Sequence, residues 1–187
     1  MDTPSYSDIT RLVGILAHMQ EPYNTHGERT AVFAVRLASA LSMSSEEIAM
    51  VDISAKLHDI GKLLLRPELL NSNRRLSPAE RSELQNHARL GYMIVCEAGY
   101  ADVIQKAVLH HHEKWDGSGY PHGLKGDQIA LPVQIVSICD VYEAMTNMRP
   151  YREAYTHQFT VSYLENRKGF DFNPELVDLF LTLVNDG

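Results

Sequence analysis

Apolar residues recur every three or four positions along most of the chain, and glycine or proline separates the stretches in which they do so. Ile9, Leu12, Val13 and Leu16 form one such stripe and predict a helix over about residues 7–20. A second helix is predicted from Thr25, where Thr25 and Glu28 have capping-box spacing, through Val32 and Leu37. Ser44 and Glu47 repeat that signal for a third, which continues to Ile60 and stops at Gly61, read as its C-terminal cap. Ser77, Pro78 and Glu80 start a helix reaching about residue 97. Further helices are expected over about residues 102–112, 132–147 and 173–184. Four glycines between Asp116 and Gly126 make that stretch a loop. No useful length alternates with period two, so the fold class is all-α, a single helical bundle of about seven helices. Residues 1–187 are read as one domain, with an N-terminal helix in 1–22 and the core in 23–184.

Several polar residues fall on faces the pattern assigns to the core. His58 shares the stripe of Ile48, Val51 and Ala55, with Asp59 beside it. His87 shares a face with Leu84 and Gly91. His111 follows Ile104, Ala107 and Val108, and His112 is adjacent. Asp140 lines up with Val133 and Val136 in the middle of an apolar helix. A lone histidine on such a face is ordinarily a hydrogen-bonded core residue. Four helices that each turn a histidine or aspartate inward need another explanation, because an unpaired buried carboxylate costs several kcal/mol or more. Lysine and arginine are scarce on those faces, and a cluster of divalent ions would satisfy all the groups together. With no cysteine among these groups, a structural zinc finger is not expected.

Composition narrows the setting. A net charge of −7 argues against a surface that coats nucleic acid, although a small anionic ligand remains compatible with locally placed cations. Cys96 and Cys139 stand far apart in apolar helical stretches and read as free core thiols of a reducing compartment. Neither a leader nor a membrane-spanning apolar run is visible, so the expectation is a cytoplasmic protein without a membrane partner.

His58-Asp59-Ile60-Gly61-Lys62 resembles the signature of the HD superfamily of metal-dependent phosphohydrolases. His111-His112-Glu113, followed by Asp116-Gly117-Ser118-Gly119-Tyr120-Pro121, resembles the HHExxDGxGYP signature of the HD-GYP subfamily, whose members hydrolyse cyclic di-GMP. The run from Met145 to Arg152 after Asp140, and His87 with Gly91 four residues on, match further blocks of that family. The resemblance implies His26, His58, Asp59, His87, His111, His112 and Asp140 as ligands of two divalent ions, iron or manganese, with Asp59 bridging. It implies hydrolysis of cyclic di-GMP to pGpG or GMP by a metal-bridging hydroxide. Asp59 and Lys62 are then the catalytic residues, with Lys62, Gly119, Tyr120, Arg149 and Arg152 contacting substrate. Another cyclic dinucleotide, such as cyclic GMP-AMP, or a binding and protein-interaction role are the alternatives. Diguanylate cyclases or other signalling proteins are the implied partners through the glycine-rich loop; a nucleic-acid polymer is not.

The sequence departs from the family at Ala88, where proline is usual, and at Glu143, where aspartate is usual and a longer acid would alter hydrogen bonds around the metals. Pro22 stands where some relatives carry a glutamate for a third metal, with Glu21 beside it, which favours two ions. Asn173 replaces an aspartate but still suits a helix cap. His18 is expected to face solvent, His110 to be structural, His122 and His157 to lie in loops, and Trp115 to pack over the glycine-rich loop.

Overall fold

The computed structural model describes residues 23–72, 74–148 and 153–185. The predicted helix over residues 7–20, with His18, Glu21, Pro22, Arg149 and Arg152, lies outside the described residues, as does the Thr25 side chain. Nine α-helices occur among the described residues: α1 (Tyr23–Ala40), α2 (Ser45–Leu57), α3 (Pro67–Leu70), α4 (Pro78–Gln85), α5 (His87–Glu97), α6 (Asp102–His110), α7 (Leu131–Thr146), α8 (His157–Asn166) and α9 (Pro174–Asn185). Short 3-10 turns at Ile60–Leu64 and Gly126–Gln128 complete the pattern. The all-α class is as expected from the periodicity. Among the described residues no helix is long and apolar enough to cross a membrane.

Capping sets several boundaries as the sequence indicates. Ser44 with Glu47, and Ser77 with Glu80, form reciprocal capping boxes at α2 and α4, and Pro78 takes the first helical position. Asn173 Oδ1 accepts the Glu175 N–H at the start of α9. Other boundaries are corrected. Helix α1 already includes Tyr23, so Thr25 lies inside it rather than at its cap. The helix expected over residues 77–97 is two helices, broken at Asn86, whose N–H is shared between the Ser82 and Glu83 carbonyls. Helix α2 ends at Leu57 instead of Ile60, and α6 at His110, two residues early. Helix α8 was not expected, and His157, read as a loop residue, opens it and hydrogen bonds Tyr142 and Asn185. The reason is that α8 buries only Thr160 and Leu164, too narrow a stripe to show as periodicity.

Gly61 is not the left-handed helix cap that its position suggests. A Cβ there would lie 1.9 Å from the His87 carbonyl oxygen and 2.4 Å from the Gly91 nitrogen. Its role is to let the Ile60–Leu64 turn press onto α5 at a point where no side chain fits. Leu57 and Ile60, both fully buried, flank this crossing, and burial of each stabilises the arrangement by about 1.5–3 kcal/mol. The principal core lies between α1, α2, α7, α8 and α9, with Leu37, Ile135, Ile138 and Phe180 inside it. A second cluster, including Val95, Ile104 and Val108, joins α2, α5 and α6. Helices α2 and α6 pack on α7 and on each other, and α5 packs on α6.

Candidate metal centre

Three histidines sit where helices stop. His58 caps α2, His87 follows the break after α4, and His111 caps α6. In each, ring Nδ1 donates to the carbonyl three residues earlier: Ala55 at 2.7 Å, Leu84 at 2.7 Å and Val108 at 2.9 Å. The last turn of a helix leaves carbonyls without partners, and the imidazole satisfies one of them. Because a carbonyl can only accept, Nδ1 carries the hydrogen and Nε2 of the neutral ring is a bare donor atom pointing inward. The early helix ends and the break at Asn86 therefore build the site.

Two groups of ligand atoms result. Asp59, His87, His111 and His112 each offer one atom within 4.8 Å of the others, and His26, His58 and Asp140 do the same. Asp59 joins the two. Its Oδ1 lies 3.4 Å from His87 Nε2 and 3.8 Å from His111 Nε2. Its Oδ2 lies 3.5 Å from His58 Nε2 and 4.0 Å from His26 Nε2. One carboxylate oxygen thus faces each group.

The donor set fits divalent metal ions. His58 Nε2 is buried without a hydrogen-bond partner, and the nearest charged atoms are carboxylate oxygens of Asp59 and Asp140 at 3.5 and 3.6 Å. His87 Nε2 and His111 Nε2 face each other at 3.2 Å, although both rings commit their hydrogen to a backbone carbonyl. Bare lone pairs directed at one another and at carboxylates repel unless a cation stands between them. Two carboxylates and five imidazoles suit borderline first-row ions.

The electrostatics point the same way. Burial pushes the Asp59 carboxyl up, but Lys62, His58 and His87 outweigh it and hold it well below the usual range. Burial likewise opposes ionisation of Asp140, and the facing His26 and His58 rings overcome it. Burial drives His111 and His87 down, and His112 to about 4, so these three stay in the neutral form a metal binds. His26 is the exception: burial lowers it, but Asp140 and Glu143 raise it to about 9.

Around these groups the structure adds partners the sequence left unassigned. His26 Nδ1 donates to Glu143, which also accepts from Arg29 Nε, while His26 Nε2 faces Asp140 Oδ1 at 2.9 Å. Arg29 is one helical turn after His26, a local signal that was available. Lys62 pairs with Asp59 Oδ2 at the edge of the centre. The Tyr120 ring stacks on His112, with centroids 4.8 Å apart, and Tyr120 and Pro121 share a cleft of about 470 Å³ with Glu83, Asn86 and Arg89. Gly119 packs so tightly that a Cβ would lie 2.4 Å from the Lys114 nitrogen, folding the loop back on the residues after His112. Trp115 is half-buried and donates its backbone N–H to the Asp171 carbonyl. Cys96 and Cys139 are free thiols.

All seven expected ligands converge, and Lys62, Gly119 and Tyr120 stand beside them; Arg149 and Arg152 lie outside the described residues. A helical bundle whose inner ends gather five imidazoles and two aspartates defines a candidate dinuclear metal protein. The chain belongs to the HD-domain family, whose model, described as HD domain, matches residues 12–176. It is 33% identical over 175 residues to the cyclic di-GMP phosphodiesterase response regulator RpfG of Xanthomonas campestris pv. campestris, covering 92% of this chain and 46% of that protein. It is 34% identical over 158 residues to the 3'3'-cGAMP-specific phosphodiesterase 2 of Vibrio cholerae, covering 83% of this chain and 30% of that protein. The chain spans less than half the length of these curated relatives. Among solved structures, an HDG"Y"P protein from Bdellovibrio bacteriovorus superposes with a TM-score of 0.73 at 14% identity, over 96% of this chain and 63% of that one, a likeness of fold.

Proposed function

We propose that this chain is a metal-dependent phosphodiesterase domain that hydrolyses cyclic di-GMP to pGpG, GMP or both. The observation that carries the reading is Asp59, which presents one carboxylate oxygen to each of two histidine groups. In this reading His26, His58 and Asp140 hold one ion and His87, His111 and His112 the other, with Asp59 shared. Iron or manganese is the expected pair, since nitrogen and oxygen donors without thiolate suit both. When bound, two such ions supply an acidified water and stabilise charge on the attacking and leaving oxygens of an in-line displacement.

The chain's own residues do the rest. Lys62, already held at the centre by Asp59, places an ammonium where phosphate charge must be neutralised. The His112–Tyr120 stack and the cleft beside it offer an aromatic wall for a purine, in a volume suited to a ligand of nucleotide size. Arg149 and Arg152 are assigned to the second phosphate, for which a planar, bidentate donor is apt.

Incubation of iron- or manganese-loaded protein with cyclic di-GMP, with products followed by chromatography, tests the proposal. The expected result is pGpG, GMP or both; no turnover with either metal refutes it. Asp59→Ala is expected to abolish turnover and reduce bound metal. The 34% identity to a 3'3'-cGAMP-specific enzyme supports a second reading, in which the mixed cyclic dinucleotide is preferred. The ratio of kcat/KM for the two substrates decides between them.

A further inference from the structure

We propose that His110, Glu113 and His122 form a separate metal site that takes one zinc ion and fastens the glycine-rich loop to the end of α6. The proposal does not depend on the reaction assigned to the main centre.

His110 is the last residue of α6, next to His111, but its ring serves a different cluster. One ligand atom from each of His110, Glu113 and His122 lies within 4.8 Å of the other two, and none of the three belongs to the main centre. His110 Nε2 lies 2.9 Å from His122 Nδ1. That contact needs one ring nitrogen to donate and the other to accept, so one of the two facing atoms already offers a lone pair. An ion would take the place of the hydrogen now between the two rings. The donating ring would carry that hydrogen on its other nitrogen instead, so both rings stay neutral.

Glu113 supplies the charge. It is 2% exposed, and among the described residues no lysine or arginine forms an ion pair with it. Its oxygens accept one hydrogen bond each, Oε1 from the His122 N–H at 2.7 Å and Oε2 from the Leu124 N–H at 3.1 Å. Each oxygen keeps a further lone pair, and a buried carboxylate with backbone donors alone is short of a cation. Two imidazoles, one carboxylate and an open fourth position on the exposed His122 side are a donor set for zinc rather than for calcium or magnesium, which demand oxygen ligands. Expected from the sequence to be structural or loop residues, His110 and His122 are brought together only by the turn of the loop at Gly119 and Pro121.

The consequence lies two residues away. His122 follows Tyr120 and Pro121, and Tyr120 stacks on His112 of the main centre. An ion on His122 would hold that stack in register from outside.

The test uses protein already loaded at the main centre, titrated with zinc against a chromophoric chelator, with metal counted per chain. One further zinc equivalent is expected in the wild-type protein. It should be lost in His110→Ala and in His122→Ala; the latter changes an exposed loop side chain, and circular dichroism confirms that it is folded. Asp59→Ala, which disables the main centre, should keep it. Hydrogen exchange at the His122 and Leu124 amides should slow at least tenfold on zinc addition in wild type and not in His122→Ala. No further equivalent, or one that survives unchanged in both histidine variants, overturns the site. Unchanged exchange overturns the loop fastening.

Discussion

Glu143→Ala is the most informative single change, because it removes the carboxylate that accepts from the His26 ring. The Glu143 side chain is 1% exposed and accepts from both His26 Nδ1 and Arg29 Nε. Alanine leaves the His26 Nδ1–H without its acceptor in a side chain 4% exposed. Breaking a buried pair by removing one partner costs about 3–5 kcal/mol. The Arg29 side chain is 38% exposed and can turn to water, which places the loss near the lower end, about 3 kcal/mol. For a domain of this size that lowers the Tm of the metal-free protein by about 6–12 °C. Loss of a hydrogen-bond partner that orients a ligating histidine also weakens metal binding by about 10–100-fold. The effect should fall on the ion held by His26, His58 and Asp140, leaving the other in place. Thermal unfolding and metal counting after dialysis against a chelator measure both effects. Glu143→Gln, which retains a carbonyl acceptor for His26, should lie between the two. An alanine variant that keeps two ions at wild-type affinity and a Tm within about 2 °C would refute the reasoning.

Three further outcomes follow from the same geometry. Gly61→Ala should destabilise by about 3 kcal/mol or more, since the new methyl meets the His87 carbonyl at 1.9 Å. It should release first the ion on the His87 side, measured by metal content alongside denaturant unfolding. Tyr120→Phe keeps the stack on His112 and should retain the wild-type KM, whereas Tyr120→Ala should raise KM about 2–10-fold with little change in kcat. Asp171, 7% exposed, is pushed up by burial, but Arg167 and Lys114 outweigh this and hold its carboxyl below 3.8. A depressed carboxyl contributes stability that is complete above its unfolded value and is lost as pH falls through the lower folded one. Asp171→Asn should therefore cost about 1–3 kcal/mol at neutral pH and flatten the acid side of the stability profile below about pH 4, read from urea midpoints.

The legible part of this protein is its local physics. Capping boxes at Ser44 and Ser77 placed helix starts to the residue, and helical phase turned His58, His87, His111 and Asp140 inward without any knowledge of their neighbours. Helix ends were less legible. The helical pattern runs on past Leu57, Gln85 and His110, but there the His58, His87 and His111 rings take over a backbone carbonyl and the helix stops. Helix α8 escaped notice because a stripe of two buried residues is indistinguishable from chance. Glu113 stood within the motif, yet its burial and its grip on the loop amides follow from a turn whose path no periodicity encodes.

What the sequence determined by itself is the class of the molecule: an all-helical chain that places histidine and aspartate on core-facing positions, in the order of an HD-domain protein. What only the tertiary structure decided is which of those groups meet. His26 and Glu143 are 117 residues apart, and nothing local says that they hydrogen bond. Asp59 divides its two oxygens between separate histidine groups because Gly61 and Gly91 let one turn cross α5 at backbone contact. Periodicity depends on neighbours one turn away, whereas a bridging carboxylate depends on how helices distant in sequence pack against a common core.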